Sequence, residues 1–373
     1  MPASIPVLLE TVLPSGSESS VPDSSGTQFD VYLYSTTGLT ATYTRSLNKT
    51  LRDEVVKAGW SYDRNGGAGP GFAVIQGGMA DLDDAVKSEW EVEFRRDGVT
   101  WYRGRVVDYS HVSARKGEIL THIVTEGYQT KLADIRVNRA YASQTVKAIV
   151  QDILDNDIKP NTRITYDAAD IVGGYTAVSL SFNCDALHAL QVLAALQGST
   201  EWGVTERTAP RLYFVAEDGT GISETAQVIL SGTTPEIAAR GSFQHSVNQI
   251  FVVGGYSAGT VITATGDDAT NQTTYGTRNR IVHESSLLDS GDAERFGDNL
   301  AAIHGSGGGY LRGVRGNPTS RLEPDRTSAA NAGATRCQFR GVDGTVQTAS
   351  WNRIAYSYER RGRGYSFHAD VEA

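Results

Sequence analysis

Cysteine is almost missing from this 373-residue chain. Cys184 and Cys337 stand far apart with no Cys-x-x-Cys or Cys/His cluster around them, which excludes a disulfide framework and a structural zinc site. Long hydrophobic runs are missing too. Nothing approaches the 18 or so consecutive apolar residues of a membrane-spanning helix, and the stretch from Met1 to Val12 has no basic region of the kind that opens a secretory leader. Both absences predict a chain made and kept soluble in a reducing cytoplasm. A cationic excess is also lacking: 34 Lys and Arg against 43 Asp and Glu give a net charge of −9. That balance argues against a protein whose task is gripping nucleic-acid phosphates.

What is present is turn- and strand-forming material, with 40 glycines and 17 tyrosines in a chain long enough for two or three domains of about 150 residues. Residues 1–28 open on a short strand-like run and continue Ser/Gly/Pro-rich, the composition of an arm or linker. Residues 29–134 read as a β domain. Its clearest element is a hairpin in which Trp90, Val92 and Phe94 alternate with Glu89, Glu91 and Glu93, Asp97-Gly98 turns, and the chain returns from Trp101. The alternation predicts one core face and one wet, acidic face.

Residues 135–220 change period. Val146, Ile149, Val150, Ile153 and Leu154 fall at helical spacing over 140–155, with Ser143 as N-cap, and a second helix over 186–197 is bracketed by Asp185 and Gly198. A hairpin follows at 202–205 and 211–216. Residues 221–373 return to strands, with a helical insertion near 290–304 whose apolar face is Ala293, Phe296, Leu300 and Ile303, and with a closing hairpin carrying Ile354, Tyr356 and Tyr358 on alternate positions.

The chemistry-bearing patterns are incomplete. The glycine runs at 66–71 and 305–309 fit neither phosphate-loop spacing and read as turns. Ser306 is not in a nucleophile elbow, and His283-Glu284 lacks the second histidine of a zinc protease. His188 reads as a surface or interface residue on its helix. Asp81, Asp83 and Asp84, and equally Asp152, Asp155 and Asp157, lack the glycine and terminal glutamate of an EF-hand and read as solvated acids. Glu89, Glu91 and Glu93 sit about 7 Å apart in steps of two, a spacing a glycosidase pair can use, although a solvated row on a sheet face is the commoner arrangement. Arg360, Arg361 and Arg363 form a basic turn. No cofactor or metal is expected.

The order of elements resembles a known family. Residues 60–76 with their glycine-rich stretch, the Trp90-to-Phe94 strand, Asp97-Gly98, the return from Trp101 to Val107 and Glu126-Gly-Tyr128 leading to Leu132 are similar to the first domain of tail-tip hub proteins of tailed bacteriophages. Baseplate hubs of contractile tails and the N-terminal part of siphophage tail-associated proteins belong to that family. The likeness continues through the helix ending at Leu154, the Asn183-to-Leu187 helix start, Trp202-Gly-Val204, Leu212-Tyr-Phe214, the run from Val247 to Val252 and the tyrosine-rich closing hairpin.

The resemblance implies a β-dominated α+β fold. Two tail-tube-like antiparallel β-barrel domains, at 29–134 and 221–373, flank or enclose a smaller α+β domain at 135–220. It implies a non-enzymatic homotrimeric ring at the virion tail tip, assembled in the host cytoplasm, that adapts a sixfold tube to a threefold spike or fibre. Its partners would be a distal tail ring or tube protein, the central spike or fibre and the tape-measure protein, with genomic DNA passing through without sequence recognition. Glu89, Glu91 and Glu93 would then be an acidic bore lining that repels phosphates. Two other readings stand beside this: a tail-tip peptidoglycan-degrading enzyme, favoured by the acidic clusters, and a carbohydrate-binding attachment protein, favoured by the aromatic content.

Overall fold

The computed structural model describes residues 29–37, 44–63, 65–77, 90–113, 119–198, 200–205, 210–216, 228–231, 238–240, 247–305, 310–318, 336–340, 346–350, 353–361 and 364–372. The arm expected at 1–28 lies outside them, as do Glu89, the Asp81, Asp83 and Asp84 group, Ser306, and Arg363 of the basic turn.

The first part of the chain is built from strands β1 (Phe29–Thr37), β2 (Thr44–Leu51), β3 (Val55–Asp63), β4 (Gly66–Gln76), β5 (Glu91–Arg96), β6 (Val99–Ser113) and β7 (Ile119–Glu126). The hairpin between β5 and β6 turns at Asp97-Gly98 with φ of 52° and 77°, the double positive-φ geometry that matches strand twist. Glycines 66–71, expected as a turn, lie inside β4 instead. Gly67 has φ of 96°, and a Cβ there would sit 2.4 Å from the carbonyl oxygen of Val204, so a neighbouring backbone needs this residue to have no side chain.

The middle part begins with a 3-10 segment (Tyr128–Asp134) and continues through β8 (Arg136–Thr145), α1 (Val146–Ile153), β9 (Thr165–Ile171), β10 (Thr176–Asp185), α2 (Ala186–Gln197), β11 (Thr200–Thr205) and β12 (Arg211–Ala216). Helix α1 starts later than the 140–155 expectation because 136–145 pairs antiparallel with β10. Ser143, expected as its cap, has φ of 52° within β8, and Thr145 caps the helix by accepting a hydrogen bond from the Ala148 amide at 3.3 Å. Helix α2 has the expected bounds: the Asp185 carboxylate accepts from the His188 amide at 2.8 Å, and Gly198 ends the helix at φ of 69°.

The remainder comprises β13 (Val228–Ser231), β14 (Ala238–Arg240), β15 (Gln249–Ser257), β16 (Thr260–Asp267), α3 (Ala269–Tyr275), β17 (Asn279–His283), α4 (Ser290–Gly305), β18 (Tyr310–Pro318), β19 (Arg336–Arg340), β20 (Val346–Ser350), β21 (Arg353–Arg361) and β22 (Gly364–Glu372).

The fold is strand-dominated, and one large sheet organises it. Antiparallel neighbours run β2, β1, β5, β6, β7, β4, β3, β21, β22, β18, and the sheet continues through β13 to β19 and β20. Among the described residues β2 pairs only with β1 and β20 only with β19, so no ladder closes the sheet on itself. The pairing of β21 with β3 places Ile354, Tyr356 and Tyr358 in one core with Phe29, Trp60, Phe94 and Tyr102. Trp60 stacks on Tyr356 at 5.4 Å between ring centres and lies 5.4 Å from Phe94, while Phe29 stacks on Tyr358 at 4.2 Å. The closing hairpin is therefore part of the first core, although the chain order separates them.

A second core gathers α1, α2, β8 to β12 and, from later in the chain, Ile250, Val252, Leu287, Ala293, Phe296 and Ala301. Residues 249–305, expected within the second tube-like unit, thus pack on the α+β layer, with β16, β15 and β17 forming a separate three-stranded sheet. Ala293 and Phe296 of α4 are buried as expected, whereas Ile303, expected on the same face, is 61% exposed. Buried Asp292 holds α4 in place by accepting from the Val178 and Ser179 amides at 2.9 Å each and from the Tyr175 hydroxyl at 2.7 Å.

Candidate functional site

The strand carrying the acidic row does not present it to water. Val92 and Phe94 point into the first core as expected, but Glu91 and Glu93 on the opposite face are 1% and 0% exposed. The reason is a cover that chain order conceals: Tyr128 of the 3-10 segment and Arg163, just before β9, close over this face of the sheet.

Four guanidiniums converge on the two carboxylates. Arg103 Nε reaches Glu93 Oε1 at 2.8 Å, Arg95 Nη2 reaches Oε2 at 2.6 Å, and Arg45 bridges both acids at 2.8 Å to Glu93 and 3.0 Å to Glu91. Arg163 lies 3.5 Å from Glu91, and Tyr128 donates its hydroxyl hydrogen to the same carboxylate. Tyr34 donates to Glu93 at 2.8 Å while the Arg45 guanidinium lies 3.4 Å above its ring.

These contacts set the protonation states. Burial pushes the Glu93 carboxyl up, but Arg103 and Arg45 outweigh it and hold the group at about 2. Burial, then the bond to Glu93, pushes the Tyr34 hydroxyl up to about 12. Glu93 is therefore ionised, and both acids are enclosed by arginine and tyrosine side chains of the same chain, where the alternation set them on a wet face. They work as a joint between the large sheet and the α+β layer. Retaining-glycosidase chemistry is not supported either, because every carboxylate oxygen faces an arginine or a tyrosine rather than an open cleft.

The other flagged groups are also accounted for. Asp157 is held by Arg139 at 2.6 Å, Asp152 by the Tyr141 hydroxyl at 2.9 Å, and Asp155 by Lys159 and the Tyr166 hydroxyl at 2.9 Å each. Arg360 donates to the Asp53 carbonyl. His283 is exposed on β17, while its neighbour Glu284 is buried.

Glu284 lies at a second polar site, a cavity of about 370 Å³ lined by Ser181, Asn183, Cys184, His188, Tyr256 and Glu284, among others. His188 Nε2 lies 2.9 Å from Glu284 Oε2, and Ser286 Oγ donates to Oε1 at 2.6 Å. The bond to Glu284 raises the His188 pKa against the opposing effect of burial. Burial, followed by the charges of Asp185 and Glu284, pushes the Cys184 thiol up to about 11, so it is not a ready thiolate. The carboxylate sits between the hydroxyl and the imidazole, so Ser286 faces Glu284 rather than His188, and the order of groups differs from that of a serine hydrolase. Sequence reasoning named His188 and Glu284 separately but not their pairing, since 96 positions separate them and only the packing of 284–288 along β10 joins them.

No protein-family model matches the chain, and no curated protein matches its sequence. Solved structures do match its fold over nearly the full length of both chains. The 43 kDa tail protein of prophage MuSo2 from Shewanella oneidensis is 13% identical, covers 92% of this chain and 97% of its own, and superposes with a TM-score of 0.57. A tail protein from Neisseria meningitidis MC58 is 11% identical over 92% and 96%, with a TM-score of 0.58. Prophage tail protein gp18 from Listeria monocytogenes EGD-e is 12% identical over 92% and 94%, with a TM-score of 0.51. The fold of this chain is accordingly that of phage tail proteins.

Proposed function

We propose that this chain is a structural, non-enzymatic hub of a phage tail tip. Three copies form a ring that adapts the sixfold tail tube to a threefold spike or fibre and surrounds part of the DNA channel. One face of the ring meets the distal tail ring or tube protein, the other meets the central spike or fibre, and the tape-measure protein reaches it from within the tube. It acts in the virion, at the tail tip. The observation that carries this reading is the end-to-end likeness of fold, 92% of this chain against 94 to 97% of three tail proteins, at identities too low for anything but architecture to be shared. On this reading the two tube-like units are each completed in the ring rather than within one chain.

The test is the mass of the purified protein by light scattering after size exclusion, over a range of concentrations and in parallel with isolated tail tips. Three times the chain mass of 40.1 kDa is expected. A stable monomer that has no place in the particle removes the hub and returns attention to the glycan-binding and peptidoglycan-degrading readings.

A further inference from the structure

Among the described residues one local arrangement occurs three times: a carboxylate at a tyrosine hydroxyl and a cation on the same tyrosine's ring. Tyr34 donates to Glu93 at 2.8 Å under the Arg45 guanidinium, 3.4 Å from the ring centre. Tyr166 donates to Asp155 at 2.9 Å, with Lys159 Nζ at 5.3 Å from its ring centre. Tyr175 donates to Asp292 at 2.7 Å under Arg295, 4.2 Å from its ring centre. In the first two sets the cation also pairs with that carboxylate, at 2.8 and 2.9 Å, and in the third Arg295 donates to the Leu196 and Gln197 carbonyls; cation, anion and π face together recover hydration that an arginine or lysine gives up on binding.

The cavity beside α2 holds two parts of this arrangement without the third. Glu284 supplies a buried carboxylate, 5% exposed and held below the usual range because His188 and Ser286 outweigh its burial. Tyr256 lines the same cavity with 70% of its surface open and, among the described residues, carries no cation on its ring. The remaining wall includes Leu288, the hydroxyls of Ser181 and Ser285, which can accept, and Asn183, whose Oδ1 already accepts from Arg136 at 2.8 Å. His188 holds one carboxylate oxygen, but its side chain is 45% exposed and among the described residues makes no second ion pair, so it can yield that position.

We propose that this cavity is a docking socket for an arginine side chain of a partner protein, whose guanidinium binds Glu284 and lies on the Tyr256 ring, displacing the His188 imidazole. An arginine fits better than a lysine, because its planar fork can span a carboxylate and stack on a ring at once. The inference does not depend on the ring proposed above, so the failure of either leaves the other standing.

The probe is Nα-acetyl-L-arginine N-methylamide, titrated into the full-length protein above the His188 titration, with the His188 imidazole and Tyr256 ring followed by NMR. The isosteric, uncharged citrulline derivative is the control. Saturable shifts at both residues are expected with the arginine probe and none with citrulline. Glu284→Gln should weaken binding about tenfold or more, by loss of a charge-assisted pair, and His188→Gln should strengthen it by removing the competitor. Tyr256→Ala, at an exposed position that folding does not need, should weaken binding about threefold and carries the test even if the Glu284 variant fails to fold. Equal response to citrulline, a response linear in probe concentration, or an affinity unchanged by Tyr256→Ala overturns the proposal.

Discussion

Glu93 on β5 and Arg103 on β6 are register partners, and their side chains meet at 2.8 Å on the covered face of the sheet. Glu93 has no exposed surface and the Arg103 side chain is 8% exposed, so neither charge has water to fall back on. Replacing Glu93 by Gln leaves three guanidiniums facing a neutral amide, and breaking a buried pair from one side costs about 3–5 kcal/mol. A fall of that size in the unfolding free energy of Glu93→Gln, read from urea denaturation, is expected. A change within about 0.5 kcal/mol, the range of ordinary surface substitutions, would show that the network is not a joint.

The same carboxylate predicts the acid limb of stability. Its folded pKa, about 2, lies below the roughly 4.3 of an unfolded glutamate, so its contribution is fully present above about 4.3 and is lost as pH falls toward 2. The loss is on the order of 3 kcal/mol across that window. The wild type should lose stability between these pH values more steeply than Glu93→Gln, as measured by thermal unfolding at a series of acid pH values.

Much of the fold is written in local patterns, and the exceptions have identifiable causes. The helix at Ala186–Gln197 was legible because both ends carry caps, and the hairpin at Asp97-Gly98 because its turn dipeptide requires positive φ. The Glu93–Arg103 pairing was not. Counting outward from a two-residue turn sets Glu93 opposite Tyr102, and only the bulge between Phe94 and Arg95 shifts the register by one to bring Arg103 across. Strand β8 was read as the start of a helix because its partner β10 lies far along the chain, and the helical spacing beginning at Val146 ran back over it. The cover of Glu91 by Tyr128 and Arg163 is likewise a tertiary event. Alternation reports that two faces differ, not which of them meets water.

Trp60 is the centre of the aromatic core shared by the first strands and the closing hairpin, touching Phe29, Phe94, Tyr102 and Tyr356. Trp60→Ala should cost about 3–5 kcal/mol by loss of burial and an unfilled cavity. Because Tyr356 rests on the same ring, Trp60→Ala and Tyr356→Ala should be non-additive in a double-mutant cycle by roughly 0.5 kcal/mol or more. Additive effects would mean that the closing hairpin folds independently of the first sheet.

Gly67 tests the close approach of β4 and β11. At φ of 96° an added Cβ would lie 2.4 Å from the Val204 carbonyl oxygen, which is backbone and has no rotamer to move to. Gly67→Ala should destabilise by about 1–3 kcal/mol from backbone strain, with further loss from separation of the two strands. Gly98, also at positive φ but with nothing within 4 Å, supplies the comparison: Gly98→Ala should cost only the conformational part, about 1 kcal/mol. Equal losses at the two positions would count against the tight β4–β11 contact.

The His188–Glu284 pair predicts the opposite limb of the pH profile from Glu93. The histidine pKa is raised by Glu284, so its contribution is complete below the roughly 6.5 of an unfolded histidine and is lost as pH rises through the higher folded value. Glu284, held low, contributes above about 4.3 and loses that contribution as pH falls. The pair is therefore strongest between about 4.3 and 6.5, and above that range the buried carboxylate keeps Ser286 but loses its cation. Amide hydrogen exchange of residues 284–288, corrected for its intrinsic pH dependence, should show protection falling as pH rises above about 6.5 through the raised folded value in the wild type and staying flat in His188→Gln. Protection that falls equally in both would place the titrating group elsewhere, and protection that is flat in both would show that the imidazole does not hold this segment.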